Sequence, residues 1–392
     1  MKRLVVMLGV TCCTVLGLMA QGQGASPLDD ATRGKAEESI GRGVAFLLRK
    51  QGEDGSWLQH PAMTSLVCTG LVKSPTGSTP AIDAAVNRGL DFVVKHAQSD
   101  GSIWNKQTEE YPNYSTAISV IALITKNRPQ DLEIIKRARA FLLDSQFADA
   151  AKDGASLGGI GYGKKLRPDL SNTQWALEAL YLTDHLDREP FSSDPVKAKK
   201  ADLAWGRAIE FLSACQNLKE TNKATWVVSD PDNKGGFVYL PGESKAGEVK
   251  KEDDDGAGLR SYGSMTYAGL KSMVYAKVNR DDPRVKGALE WIQRHFTFAE
   301  NPGMGSAGHY YYLHTCAKAL AAYGDETLTD AAGKPHSWRA EFVGQVLGMQ
   351  KPDGSWANEN GRWMESVPEL STAYTVLSLE AVVNSAPAAA AK

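Results

Sequence analysis

The feature that most constrains this chain is a threonine that recurs in register. Six apolar stretches, AMTSLVCTGLV, YSTAISVIALI, SNTQWALEALY, SMTYAGLKSMV, LHTCAKALAAY and LSTAYTVLSLE, carry it at their third place, as Thr64, Thr116, Thr173, Thr266, Thr315 and Thr372. They are apolar nearly all round, which predicts helices buried on every side. Each follows a more amphipathic stretch: RGVAFLLRKQ from Arg42, RGLDFVVKHAQ from Arg88, RARAFLLDSQ from Arg137, RAIEFLSACQ from Arg207, KGALEWIQRHF from Lys286 and EFVGQVLGMQ from Glu341. Their apolar residues recur three and four apart, as in a helix packed on one face. Between the two helices of a pair comes a Gln and a Gly-rich turn, fullest in QGEDGSW at residues 51–57 and QKPDGSW at 350–356. SDGSIW at 99–104 is a third copy, and GGIGYG from Gly158 and GGFVY from Gly235 are worn ones; the fifth pair lacks the Gln.

Six amphipathic outer helices and six buried inner ones close into an α/α toroid, because an open array would leave its end faces uncapped. The expected fold is therefore all-α, a six-hairpin (α/α)6 barrel, in one domain over 26–384 with a long loop insertion at 217–262. Threonine near a helix start is expected to cap an unpaired backbone N–H. Asp54 and Asp353 read as turn residues, with Gly55 and Gly354 supplying the positive φ just past a helix end.

The N-terminus places Lys2 and Arg3 before an apolar run from Leu4 to Ala20 and then small polar residues, the plan of a secretory signal over 1–25. A single-pass anchor is the alternative reading of that run. The expected location is periplasmic or extracellular, with 385–392 a disordered tail. A formal net charge of −2 gives no reason to expect nucleic acid as a partner. Cys68, Cys215 and Cys316 are widely spaced within helical patterns and read as buried thiols.

Arg42, Gly43, Phe46, Leu47, Gln51, Gly55 and Trp57 resemble the QW repeat of squalene and oxidosqualene cyclases, which is related to the repeat of protein prenyltransferase β subunits. The resemblance covers nearly all of the chain after its first 36 residues and implies the same toroid, with the QW residues as a structural brace. Function is a separate question. Squalene cyclases protonate substrate with an Asp-x-Asp-Asp-Thr motif, and the counterpart here, DLSNT, keeps Asp169 but has Ser171 and Asn172 in place of the acid pair. Prenyltransferases bind zinc through Asp, Cys and His. The corresponding positions here are Tyr262, Ser264 and His314, so only the His is kept. No metal, cofactor or prenyltransferase α subunit is expected.

The residue before each Thr is expected to line the mouth, which makes His314 a candidate acid or base. Asp169 is the retained acid, and Asp253, Asp254 and Asp255 in the KKEDDDG run are candidates if the long loop folds over the mouth. Ligand contacts are expected from Tyr262, His309, Tyr311, Tyr312, Trp363 and Glu369, with Glu365 a further rim carboxylate; aromatics beside carboxylates also suit sugars. Three functions follow: an exported toroid binding an apolar, isoprenoid-like molecule, a non-catalytic binding or scaffold toroid, and a carbohydrate-active toroid.

Overall fold

The computed structural model describes residues 28–108, 111–164, 166–251 and 256–384. The expected signal, the tail and Asp253, Asp254 and Asp255 lie outside them. Among the described residues, twelve α-helices alternate outer and inner. The outer helices are α1 (Asp30–Arg49), α3 (Pro80–Lys95), α5 (Leu132–Ser145), α7 (Pro195–Ala214), α9 (Pro283–Arg294) and α11 (Trp338–Gly348). The inner ones are α2 (Pro61–Lys73), α4 (Pro112–Lys126), α6 (Leu170–Leu182), α8 (Gly263–Tyr275), α10 (His309–Tyr323) and α12 (Pro368–Asn384). Proline opens α2, α3, α4, α7 and α9, where its missing N–H costs nothing.

Each inner helix packs on the next, and α12 returns to α2, so the ring is closed. The outer helices lean on this ring, α1 against α12, α3 against α2, α5 against α4 and α9 against α8. No described helix is long and apolar enough to cross a membrane.

The turns hold neighbouring hairpins together. Gln51 Nε2 donates to Gly55 O in its own turn and to Ala85 O of α3, both at 2.8 Å, and Arg88 of α3 donates back to its Oε1. Gln146 does the same with Gly158 O and Ala204 O and receives Arg207 Nε at 3.1 Å. Gln350 reaches Gly354 O and Ser39 O, both at 3.0 Å, and receives Arg42 Nε at 3.0 Å, which ties the sixth hairpin to the first. The turn glycines are required by close approach: Gly55 has φ +86°, and a Cβ there would lie 2.7 Å from Arg88 O. Asp54 accepts from Ser56 N and Oγ, and Asp353 from Ser355 N and Oγ, so both carboxylates are spent within their turns.

The threonines do not cap their helices. Each inner helix begins a turn or more before its Thr, so the first-turn N–H groups are already behind the side chain. The hydroxyl instead accepts from the incoming turn: Trp57 N on Thr64 (3.0 Å), Ile103 N on Thr116 (2.8 Å), Ile160 N on Thr173 (2.9 Å), Phe237 N on Thr266 (3.1 Å) and Trp356 N on Thr372 (3.0 Å). Thr315 bonds only back to Tyr311 O, at 2.8 Å.

The described part of 217–262 is anchored to the body. Its strand β1 (Glu248–Lys250) pairs antiparallel with β2 (Ala257–Leu259), and Asn217 Nδ2 donates to Leu259 O and Ser261 Oγ at 2.8 and 2.9 Å. Tyr239 O accepts from Leu170 N at 2.8 Å, which seats this segment on the start of α6.

Candidate functional site

The N-terminal ends of α6, α8 and α10 bring together Asp169, Tyr262 and Tyr311. Asp169 is the N-cap of α6, with Oδ1 accepting from Asn172 N at 2.8 Å and Oδ2 from Asn172 Nδ2 at 2.7 Å. It is buried, and desolvation lifts its carboxyl to about 6 in spite of those bonds and one from Tyr239. Tyr239 also bonds Tyr162, and both rings are half-buried, so two phenols stand between the acid and solvent. Tyr262 is buried, and its hydroxyl is pushed up by desolvation and then by neighbouring Tyr311 and Asp169.

An aromatic path runs from this rim into the ring. Exposed Tyr111 lies 4.2 Å from the Tyr162 ring, and Tyr162 is 6.5 Å from Tyr114. The Tyr114 and Tyr374 hydroxyls meet at 3.4 Å across the toroid. Tyr374 then packs on His314 at 5.3 Å, and His314 stacks on Trp175 at 5.3 Å. Ser171 Oγ and Gln174 Nε2 reach Tyr311 OH at 3.0 and 3.2 Å from the opposite side of α8.

His314 is therefore not on the mouth. Because α10 starts at His309, His314 sits a turn and a half inside, buried, with neither ring nitrogen bonded. Burial first, then the Lys318 and Lys271 charges, drives its pKa well below the ordinary value, so it is neutral. The other residues that precede the threonines, Met63, Ser115, Asn172, Met265 and Ser371, are buried for the same reason.

The remaining sequence candidates scatter. His309 Nε2 meets Phe298 O at 2.9 Å and Tyr312 OH donates to Thr297 O at 2.5 Å, both on the outward side of α10. Trp363 is exposed and lies over Gly308 with Arg362 stacked on it at 4.3 Å. Glu369 faces Lys50 at 3.9 Å. Glu365 caps α10: Oε1 accepts from Tyr311 N and Oε2 from Asn358 Nδ2, both at 2.8 Å. At the zinc positions of the prenyltransferases, Tyr262 is a buried phenol, Ser264 accepts from Asn301 Nδ2 at 3.3 Å and His314 is stacked between rings. These residues do not fit a zinc ion.

The interior is not the apolar chamber expected from the inner helices. Glu178, Lys271, Lys318 and Glu380 project into it from α6, α8, α10 and α12. Glu178 accepts from Lys271 Nζ at 2.7 Å and from Lys318 Nζ. Burial alone would raise the Glu178 carboxyl, but these two charges hold it well below the usual range. The sequence signal was present: each of these charges interrupts an otherwise apolar inner helix, and a charge in that setting is paired or functional.

No protein-family model matches the sequence, and no curated protein is detectably similar to it. Among solved structures, the chain is similar to a type II terpene cyclase from Scytonema in complex with merosterolic acid A, at 15% identity over 92% of this chain and 100% of that one, with a TM-score of 0.54. The same cyclase without ligand gives 14% identity, 90% and 99% coverage and a TM-score of 0.53. An inactive variant of the α-1,6-mannanase of Salegentibacter sp. HEL1_6, in complex with α-1,6-mannotriose, gives 11% identity, 90% and 100% coverage and a TM-score of 0.55. At these identities the likeness is one of fold, and the chain has the α/α toroid shared by terpenoid cyclases and such glycosidases.

Proposed function

We propose that the protein is an exported, non-hydrolytic toroid that binds a neutral glycan at the loop rim, over Asp169. The observation that carries this is a protonatable carboxyl beneath Tyr239 and Tyr162, at the end of an aromatic path that opens to solvent at Tyr111. Tyrosine faces pack on the C–H faces of sugars while phenols and a carboxyl bond the hydroxyls, so one surface serves both needs. Glycoside cleavage needs a second carboxyl about 5–9.5 Å from the first. Glu365, a buried carboxyl of the turn before α12, is committed to the α10 backbone. An isoprenoid would need an apolar space that Glu178, Lys271, Lys318 and the crossing tyrosines occupy.

Isothermal titration of the mature protein with neutral gluco- and manno-oligosaccharides tests this. Binding is expected in the wild type, lost in Tyr111→Ala and weakened in Asp169→Asn, without release of new reducing ends. Absence of binding to any of them, together with a lipid recovered from the purified protein by native mass spectrometry, would restore the isoprenoid reading.

A further inference from the structure

One outer helix departs from the packing pattern of the ring, and the gap beside it is a cleft. Helices α3, α5 and α9 lean on the inner helix before them, whereas α7 leans on α8 and on the short turn at 184–187. A cleft of about 540 Å³ opens between the C-terminal ends of α6 and α8 and the middle of α7, a size that holds a small ligand. It lies at the opposite end of the inner helices from Asp169. Its wall is aromatic. The Tyr181 and Tyr275 rings stack at 4.6 Å with 12° between their planes, which leaves Tyr181 43% exposed at the cleft. Half-buried Trp205 lines the side formed by α7. Phe191, 50% exposed, packs edge-on against His185 at 5.2 Å, so the aromatic surface continues past the cleft. Large exposed rings grouped in this way mark a contact surface.

The polar groups are fixed in place and electrically balanced. Arg188 Nε donates to Asp184 at 2.9 Å and its Nη2 to Asp202 of α7 at 2.6 Å, so the guanidinium is held from two sides. Two carboxylates, Asp184 and Asp202, stand against two cations, Arg188 and Lys277, and the lining has no excess of either sign. Among the described residues no hydrogen bond engages Arg188 Nη1, Asp202 Oδ2, Trp205 Nε1, the Tyr181 hydroxyl or Lys277 Nζ, so donors and acceptors are both open. A charged ligand would bring an unmatched charge, and a purely apolar one would leave these groups unpaired. A sugar matches all three properties, with C–H faces for the rings, hydroxyls that donate and accept, and no charge.

We propose that this cleft is a second saccharide site, which takes a short neutral oligosaccharide with Tyr181 as its platform and Arg188, Asp202 and Trp205 Nε1 on its hydroxyls. The ligand class rests on the glycan reading of the loop rim, while the cleft itself is separate from it. Sites on two opposite ends let one molecule hold two stretches of a polysaccharide at once.

The cleft is open to solvent, so its affinity is expected on the order of millimolar, below the reach of the rim titration. Saturation-transfer NMR of Tyr111→Ala, in which the rim is disabled, with millimolar neutral gluco- and manno-trisaccharides reads the cleft alone. Transfer is expected to persist, to need about tenfold more sugar in the added presence of Tyr181→Ala or Trp205→Ala, and to be unchanged with Tyr181→Phe, which keeps the ring. Tyr181 faces solvent, so its Ala variant is expected to fold. Crystals soaked in the same trisaccharides should show one against the Tyr181 ring. No transfer to either sugar, or transfer that Tyr181→Ala and Trp205→Ala both leave at full strength, overturns the cleft and leaves the rim reading standing. The rim is decided by its own titration: loss of the tight event in Tyr181→Ala and not in Tyr111→Ala would end the reading there and keep the cleft.

Discussion

The first and fifth hairpins are built from the same pattern and held in different ways. In the first, Gln51, Gly55 and Trp57 lock the turn to α3 and Thr64 receives the turn's backbone. In the fifth there is no Gln, Thr315 receives nothing from its turn, and α10 begins at a left-handed Gly308 with Glu365 of the next turn accepting from the first-turn N–H of Tyr311. The brace is thus modular, and its loss is offset by one carboxylate. The helix that lost it is also the one whose inner face carries His314 and Lys318. A position free of framework duty is where a chain can place groups that would otherwise destabilise it.

That contrast can be broken from either side. Gly55→Ala combines a left-handed backbone with a clash against Arg88 O and should cost about 4 kcal/mol in a denaturant titration. Gly308→Ala meets only the exposed Trp363 ring, which can swing aside, and should cost about 1 kcal/mol. Equal costs would show that the fifth turn is as rigid as the first.

Removing the substitute cap is next in size. Glu365→Ala leaves the Tyr311 N–H unpaired in a buried setting and should lose about 3 kcal/mol, with Glu365→Gln recovering about half. Thermal melts of the pair would decide whether the carboxylate or its shape matters.

Asp169 caps a helix whose brace is intact, which makes it the control. Its carboxyl is raised to about 6 in the folded chain from an ordinary 3.8, so folding retains a proton that the unfolded chain gives up. The contribution of this group to stability is highest below about pH 4, falls as the pH rises to about 6, and stays at the lower level beyond. Asp169→Asn keeps the cap without that cost and should gain about 2 kcal/mol at pH 8 and nothing at pH 4. A gain independent of pH would mean that the group is not desolvated.

The smallest effects come from the threonines. Thr64→Ala strands the Trp57 N–H and should cost about 1.5 kcal/mol. Thr315→Ala removes only a bond to its own helix and should cost about 0.5 kcal/mol.

The toroid was legible because periodicity reports burial, and six threonines in register fixed where each inner helix enters. Their role was not legible: a hydroxyl near a helix start reads as a cap, and only the helix beginning a turn earlier turns it into an acceptor for the preceding loop. The same offset moved His314 from the mouth to the interior. Asp169, Tyr262 and Tyr311 do meet, since all three stand at starts of inner helices. His309 and Tyr312 were misplaced because neighbours on a helix point different ways, and a run of aromatics in sequence is not a cluster in space. Glu178, Lys271, Lys318 and Glu380 could have been found by asking why a buried helix tolerates a charge.

The link from Gln350 to Ser39 and Arg42 also sets a schedule. These partners are separated by 308 to 311 positions, and α1, the first helix of the described residues, packs on α12, the last of them. Closing so long a loop is entropically late, so the first hairpin waits with one flank open until α11, its turn and α12 have been synthesised. A chain cut short at its C-terminus would leave that flank bare, exposed to whatever apolar surface it met first.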